Sequence, residues 1–187
     1  MTSQSRSPGD AMAVLVVDPA VHAGEVERFL GKVVRRPDTH PADPVAVTCA
    51  IWTGAIADDG YGRFSITRDG HEHTVKPHRY AVALALGVPV PARTVIEHVV
   101  CDNPICAWAH PDPLLGHIWP STQSENLRRM QAKGRGQRWW LRRWSGLGRA
   151  ERAERSRQLA GAVREGWDDA AVRAVLLRID PAQTALF

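Results

Sequence analysis

The stretch of the chain that decides the fold spans residues 97–126 and reads EHVVCDNPICAWAHPDPLLGHIWPSTQSEN. One loop of this stretch can present Cys101 and Cys106 to a single ion, and Cys49 and His117 complete a set of three thiols and one imidazole. That set is standard for a closed, tetrahedral zinc site. An odd number of cysteines argues against a disulfide framework. The residues therefore predict structural zinc, with three buried cysteines acting as small apolar side chains as the alternative.

The residues on either side of the cysteine loop predict a strand before it and a helix after it. Residues 94–100 are apolar and include β-branched side chains, which is typical of a short strand. Thr122 is a good N-cap for a helix that begins at Gln123, with Glu125 at the third position of a capping box. Asn126 then lies in the first turn of that helix.

The rest of the chain predicts an α+β fold with antiparallel strands, followed by C-terminal helices. Apolar periodicity and turn residues predict helices at 24–34, 78–86, 149–165 and 169–179, and an antiparallel meander of strands at 45–52, 61–67 and 73–76. We expect a loosely ordered N-terminus over 1–23, a zinc-stapled domain over 24–135, a basic, Trp-rich helical extension over 136–179 and a flexible tail over 180–187.

The composition favours a polyanionic partner, most simply nucleic acid. The chain has 24 Lys and Arg against 20 Asp and Glu, a formal net charge of +4, and a positive balance attracts phosphate backbones. No apolar run reaches bilayer length, and the polar start lacks a signal peptide's apolar centre. We therefore expect a cytoplasmic protein without a membrane partner.

Four stretches, taken together and in order, resemble one enzyme family. They are CAIWTG at 49–54 with GYGRF at 60–64, HR at 78–79 ahead of GVP at 87–89, EH at 97–98 with CDNPIC at 101–106, and HIWPST at 117–122 with Asn126 and KGR at 133–135. The set resembles the HNH endonucleases of the His-Me finger superfamily, in the zinc-binding branch common in phages and mobile elements. The resemblance covers roughly residues 26–135.

The resemblance implies a ββα-metal core, a two-stranded ribbon and a helix around a metal, and a metal-dependent DNA endonuclease that hydrolyses phosphodiester bonds. His98 would deprotonate the attacking water. Asn126 would ligate a catalytic magnesium or another divalent cation, and Arg63 would contact the scissile phosphate. Cys49, Cys101, Cys106 and His117 would hold the structural zinc. The alternative is a non-catalytic zinc protein that binds DNA on the same scaffold.

Two spacings differ from the family pattern. Val99 and Val100 separate His98 from the next cysteine, where the family usually has one residue, and a one-residue slip turns a strand side chain to the other face unless a bulge absorbs it. His110, at Cys-x3-His spacing, rivals His117 as the zinc ligand. The family's spacing from the zinc histidine to the catalytic asparagine favours His117.

A basic segment with three Trp residues follows the helix of Asn126 and predicts a DNA-binding arm, with a solvated helix as the alternative. The cations expected to contact phosphates are Arg128, Arg129, Lys133, Arg135, Arg138, Arg142 and Arg143, interspersed with Trp139, Trp140 and Trp144.

The last residues carry a further resemblance. Gln183, Leu186 and Phe187 resemble the peptide that docks bacterial replication proteins on the sliding clamp, and the alternative is a tail folded on its own domain. One catalytic centre cuts one strand, so double-strand cleavage would call for a homodimer.

Overall fold

A computed structural model of the chain describes residues 13–37, 49–135 and 147–177. These residues form short antiparallel two-stranded sheets and five helices, which confirms the α+β class. The helices are α1 (Ala23–Leu30), α2 (Pro77–Leu86), α3 (Gln123–Arg135), α4 (Arg149–Ala162) and α5 (Asp169–Leu177). The strands are β1 (Val14–Leu15), β2 (Val33–Val34), β3 (Ile51–Trp52), β4 (Phe64–Arg68), β5 (His71–Val75), β6 (Val90–Pro91), β7 (Val95–His98) and β8 (Ile118–Ser121).

Local signals fix several of these boundaries. Pro77 occupies the start of α2, where its missing N–H costs nothing, and Gly87 ends that helix in the left-handed region at φ 62°. Asp69 and Gly70 turn β4 into β5 with φ of 50° and 77°. A positive φ at both positions is the geometry of tight hairpin turns, so this hairpin is encoded locally.

Two expectations from the sequence are wrong, one about the end of the first helix and one about the pairing of the strands. The first helix ends at Leu30, and the β-branched residues of β2 pair instead with β3. Within the described residues the predicted meander does not form, because β3 pairs with β2 and β4 pairs with β5. Residues 45–48 of the first expected strand lie outside the described residues. Short strands have weak intrinsic preferences, so the partner that buries their side chains decides the pairing.

The N-terminal stretch differs from the loose order expected for 1–23 in the part that the structure describes. Val14 pairs with Pro91 and Leu15 with Val90, which joins β1 to β6. Leu15 and Val17 are buried in the core. These residues therefore pack with the domain that follows them.

The centre of the core is a group of four aromatic side chains. The ring centroids of Phe29 and Tyr80 lie 4.5 Å apart, and those of Trp52 and Phe64 lie 5.5 Å apart. Phe29 also stacks on Trp52 at 5.6 Å. Aromatic pairs in such offset and edge-on arrangements add to the free energy gained by burial, so α1, β3, β4 and α2 are held together here.

The C-terminal helices share this core. Leu159 and Val163 are buried with the aromatic group, and α4 packs against both α5 and β3. Gly60 allows the close approach, because a Cβ there would lie 3.1 Å from the backbone nitrogen of Ala153. The described part of the expected 136–179 extension is thus continuous with the domain before it. None of the helices in the described ranges has the length and apolar character to cross a bilayer.

Candidate metal centre and active site

Four side chains from distant positions form a candidate metal centre. The ligand atoms of Cys49, Cys101, Cys106 and His117 all lie within 4.8 Å of one another, and Cys106 Sγ lies 3.8 Å from His117 Nδ1. Zinc–sulfur bonds of about 2.3 Å put two ligands of a tetrahedral ion about 3.8 Å apart. The geometry and the donor set therefore fit a closed zinc site.

Backbone hydrogen bonds bring the first cysteine to the cysteine loop. The amide of Trp52 donates to the carbonyl of Ile105 at 2.9 Å, and the amide of Ala107 donates to the carbonyl of Ala50 at 2.8 Å. Asn103 is buried, and its side-chain oxygen accepts from the amide of Ile105 at 3.1 Å, which closes the turn between the two loop cysteines. The loop thus pairs antiparallel with β3 at Cys106, and Cys49 lies beside it.

The buried thiols hold their protons unequally. Hydrogen bonds from Cys101 and Cys106 hold the pKa of Cys49 well below its usual range although the thiol is buried. Burial, together with contacts to Cys101 and Cys49, raises the pKa of Cys106 well above its usual range. The protein alone favours one thiolate, and a bound dication is what would stabilise the others.

The structure separates the two histidines that rivalled each other as zinc ligands. His117 lies in the cluster, whereas Nδ1 of His110 accepts a hydrogen bond from the amide of Asp112 at 3.0 Å, within its own loop. The amide of His117 donates to the carbonyl of Trp108 at 2.9 Å, and this bond sets the histidine beside the thiols. The described geometry therefore favours His117.

An aromatic and cationic stack covers the metal cluster, and the sequence reasoning did not assign it a role. The ring of Trp108 stacks on His117 with centroids 5.6 Å apart, and the Arg35 guanidinium lies 3.7 Å above the Trp108 ring. Three thiolates around a zinc ion carry net negative charge, so a cation at this position is favourable. The signal in the sequence was a Trp two residues after the second loop cysteine.

A bulge accounts for the additional valine after His98. The amides of Val99 and Val100 both donate to the carbonyl oxygen of His117, at 2.8 and 3.4 Å. Two residues on one strand then oppose one on the other, which is the arrangement of a β-bulge. Because the extra residue is absorbed there, His98 keeps its pairing with Ile118 in the ladder.

The imidazole of His98 lies between the metal cluster and α2. Its Nδ1 lies 3.7 Å from Cys101 Sγ, and its ring meets that of His78 edge-on with centroids 5.5 Å apart. Nε2 of His98 is buried. The other face of β7 meets α3, since Glu97 is buried and forms an ion pair of 2.7 Å with Arg129.

The helix that carries Asn126 begins as predicted. The amide of Glu125 donates to Thr122 Oγ1 at 3.2 Å, and the amide of Thr122 donates to Glu125 Oε2 at 3.0 Å, which confirms the capping box. Asn126 is half-buried in the first turn, and α3 packs against β7. Glu97, which the sequence reasoning left without a role, adds a carboxylate on the face of β7 that meets this helix.

Glu97 and Asn126 supply two oxygen donors, one on β7 and one in the first turn of α3. A carboxylate and a side-chain amide are hard ligands, and magnesium needs few of them because it keeps several waters. Glu97 is engaged by Arg129, so a cation bound there would compete with that guanidinium.

Arg63 lies in the loop before β4 and is partly buried. It forms an ion pair of 3.1 Å with Asp59 and donates a hydrogen bond of 3.2 Å to the carbonyl of Gly62. Close packing fixes this loop, because a Cβ on Gly62 would lie 2.6 Å from the Trp52 ring. The charge of Arg63 also lowers the pKa of His78, after burial and the larger charge effects of His98, Lys76 and Arg79.

Part of the expected DNA-binding set lies within the described structure. Arg128 is exposed on α3, and Arg129 is engaged by Glu97. The side chains of Lys133 and Arg135, and the residues Arg138, Arg142 and Arg143 with the three interspersed Trp residues, lie outside the described residues, as do Gln183, Leu186 and Phe187.

Comparison with known proteins adds no family to this geometry: no family model, curated protein or solved structure matches the chain.

Proposed function

We propose that the protein is a metal-dependent DNA endonuclease of the HNH, His-Me finger type with a structural zinc ion. The observation that carries the proposal is the order hairpin, then helix. β7 ends in His98 and pairs with β8, α3 follows with Asn126 in its first turn, and the loop between the strands supplies Cys101 and Cys106 to the metal cluster. This is the ββα order that the sequence resemblance implies.

The roles divide among the chain's own residues. The zinc ligands would staple the loop between β7 and β8 to the start of β3. His98 accepts a proton from the attacking water, and Arg63 contacts the phosphate that is cut. Asn126, and Glu97 on the face of β7 that meets α3, would hold a divalent cation, which would supply positive charge for the phosphate and the leaving oxygen.

One observation favours a second candidate, a zinc protein that binds DNA without cutting it. Nε2 of His98 is buried and Nδ1 faces Cys101, while Glu97 faces α3 on the opposite side of β7. A general base must reach the water that it deprotonates. Cleavage therefore requires DNA binding to open the pocket around His98.

A plasmid-nicking assay separates the two candidates. Supercoiled plasmid is incubated with zinc-loaded protein, with magnesium or with none, and with His98→Ala, Asn126→Ala and two control variants. The controls are His71→Ala and Gln123→Ala, which remove an exposed histidine and an exposed side chain of α3.

We expect nicking with magnesium only, a loss of about 10²–10⁴ in rate for His98→Ala, and unchanged rates for the controls. Asn126→Ala is expected to lose activity and to recover part of it at high magnesium. DNA binding without nicking under any condition would leave the binding-only candidate. Equal nicking by His98→Ala and wild type would remove His98 from the mechanism.

A further inference from the structure

A cleft of about 440 Å³ opens beside β7 on the side that faces α2. Its walls come from the end of β5, the first turn of α2 and the residues between β6 and β7, with Tyr61 at one side. A volume of this size lies within the range of ligand sites in proteins. No acidic side chain among the described residues lines it.

The start of α2 concentrates positive charge at this cleft. Its N-cap, Lys76, makes no side-chain capping bond, and the first turn contains no acidic residue. Lys76 and Arg79 stand there instead, with His78 between them, and burial lowers the pKa of His78 well below its ordinary value. The N-terminus of a helix carries partial positive charge and favours anions, so cations at this end are unfavourable unless an anion joins them.

Lys76 is the cation that is available to such an anion. Its Nζ lies 4.4 Å from the centroid of the Tyr61 ring, and the side chain is half-buried. It forms no ion pair with a carboxylate in the described part of the chain, because Asp59, whose charge it senses, binds Arg63. A partly desolvated ammonium group gains from a counter-ion.

His78 adds a second, independent observation. It lines the cleft and is 6 % exposed, and its Nδ1 has no hydrogen-bond partner within the described residues. Most buried polar atoms in folded proteins are hydrogen-bonded, so His78 leaves one hydrogen-bonding group unmet at the wall of the cleft.

Arg79 shapes the cleft without being free to bind. Its guanidinium donates to the carbonyl of Thr94 at 2.6 Å and to that of Pro91 at 2.7 Å. These bonds hold the opposite wall at a fixed distance from α2. The cleft is therefore a built feature of the fold.

We propose that this cleft binds a backbone phosphate of the DNA substrate, with Lys76 and the N-terminus of α2 as its ligands and the Tyr61 ring against the adjoining sugar or base. The proposal rests on the proposed function and deepens it, because the cleft lies beside the strand that ends in His98. It assigns DNA contact to a surface outside the basic segment that follows α3.

The test measures binding of a duplex oligonucleotide by fluorescence anisotropy, without divalent cations, over a series of salt concentrations. The variants are Lys76→Gln, the charge-preserving Lys76→Arg and the matched control Lys32→Gln, an exposed lysine that does not line the cleft. Zinc content and circular dichroism establish that each variant is folded. Free deoxynucleoside monophosphate is tested as a competitor.

We expect Lys76→Gln to bind about tenfold more weakly, as for a lost charge-assisted hydrogen bond. The slope of log K against log salt should fall by about 0.9. Lys76→Arg and Lys32→Gln should resemble wild type. A duplex with a single methylphosphonate at the contacted position should bind wild type more weakly than the unmodified duplex does. The same modification should not weaken binding to Lys76→Gln any further.

Any of three outcomes would overturn the proposal. Lys76→Gln could bind the duplex as tightly as wild type, or no single methylphosphonate could reproduce its loss of affinity. The free nucleotide could also bind as tightly as the duplex, in a manner that depends on Lys76. Nicking by the same preparations is measured separately. Magnesium-dependent nicking together with unchanged duplex affinity in Lys76→Gln would reject the cleft and leave the nuclease. Weaker duplex binding by Lys76→Gln without any nicking would reject the nuclease and support the cleft as a contact of a DNA-binding protein.

Discussion

The thiol of Cys106 lies 3.8 Å from Nδ1 of His117, eleven positions further along the chain. The loop between them must fold back on itself to achieve this, and hydrogen bonds of Trp108 to the far end of the loop hold it in that conformation. Its carbonyl accepts the amide of His117 at 2.9 Å, and its indole N–H donates to the carbonyl of Leu115 at 2.6 Å. The metal centre therefore depends on the loop as much as on the cysteines.

This geometry predicts the metal content. Purified protein should contain about one zinc ion per chain, and His117→Ala should lose zinc and unfold at a lower temperature than His110→Ala. The reason is that structural zinc contributes about 10–16 kcal/mol in small domains, so the loss of one ligand is costly. Elemental analysis and thermal melts measure both effects. Equal zinc retention by the two variants, or greater loss in His110→Ala, would contradict the assignment.

The ion pair between Glu97 and Arg129 predicts a difference between two neighbouring arginines. Arg129→Ala leaves a buried carboxylate without its guanidinium and should destabilise the fold by about 1–2 kcal/mol, a value reduced because Arg129 is 47 % exposed. Arg128→Ala, which removes an exposed side chain, should change the free energy of unfolding by less than about 0.5 kcal/mol.

Urea denaturation measures both variants. If the ion pair is the cause, Arg129→Ala combined with Glu97→Gln should destabilise the fold less than the sum of the two single changes. Additive effects would mean that the two side chains act independently.

The burial of His78 predicts a dependence of stability on acid. Burial, and then the charge effect of His98, lower the pKa of His78 well below its ordinary value. The unfolded chain therefore binds a proton at about pH 6.5 that the folded chain refuses. Stability should be complete above that pH and should fall by at most about 1.4 kcal/mol per pH unit as the pH drops from about 6.5 toward the lowered pKa.

The variant His78→Gln should flatten this dependence, whereas His71→Gln, at an exposed position, should leave it unchanged. All variants keep the zinc ligands, so competition between protons and metal at the thiols is common to them and cancels in the comparison. Urea denaturation at a series of pH values provides the measurement. Parallel curves for His78→Gln and wild type would show that the acid sensitivity lies elsewhere.

Close packing around Gly62 and open space around Gly24 predict opposite effects of the same substitution at the two positions. Gly62→Ala places a Cβ 2.6 Å from the indole ring and 2.7 Å from Pro77, and should destabilise by about 1–3 kcal/mol. Gly24→Ala, in the first turn of α1 with nothing within 4 Å of the new Cβ, should stabilise by up to about 0.5 kcal/mol. Chemical denaturation compares the two, and a neutral Gly62→Ala would mean that the loop of Arg63 yields easily.

Local residues determined much of the framework. Thr122 and Glu125 cap α3, Pro77 and Gly87 bound α2, and each signal works through atoms a few positions apart. Such signals can be recognised in a sequence because the interaction and the residues that make it are neighbours. The four side chains of the candidate metal centre were also recognisable, since three thiols and an imidazole have few other uses together.

The tertiary structure decided what depends on partners far along the chain. Val33 and Val34 continue a helical pattern, yet they form a strand because β3 offers a pairing edge. His117 enters the metal cluster while His110 bonds within its loop, and the bulge at Val99 absorbs the residue that disturbs the spacing.

The ion pair of Glu97 with Arg129 and the contact of His98 with His78 follow from which face of β7 meets which helix. A strand presents successive side chains to opposite sides, so the sequence by itself determined that Glu97 and His98 would diverge. Only the packing of α2 and α3 on the two sides decided what each would meet, because that choice is made by the burial of the whole core and not by any residue near them in the chain.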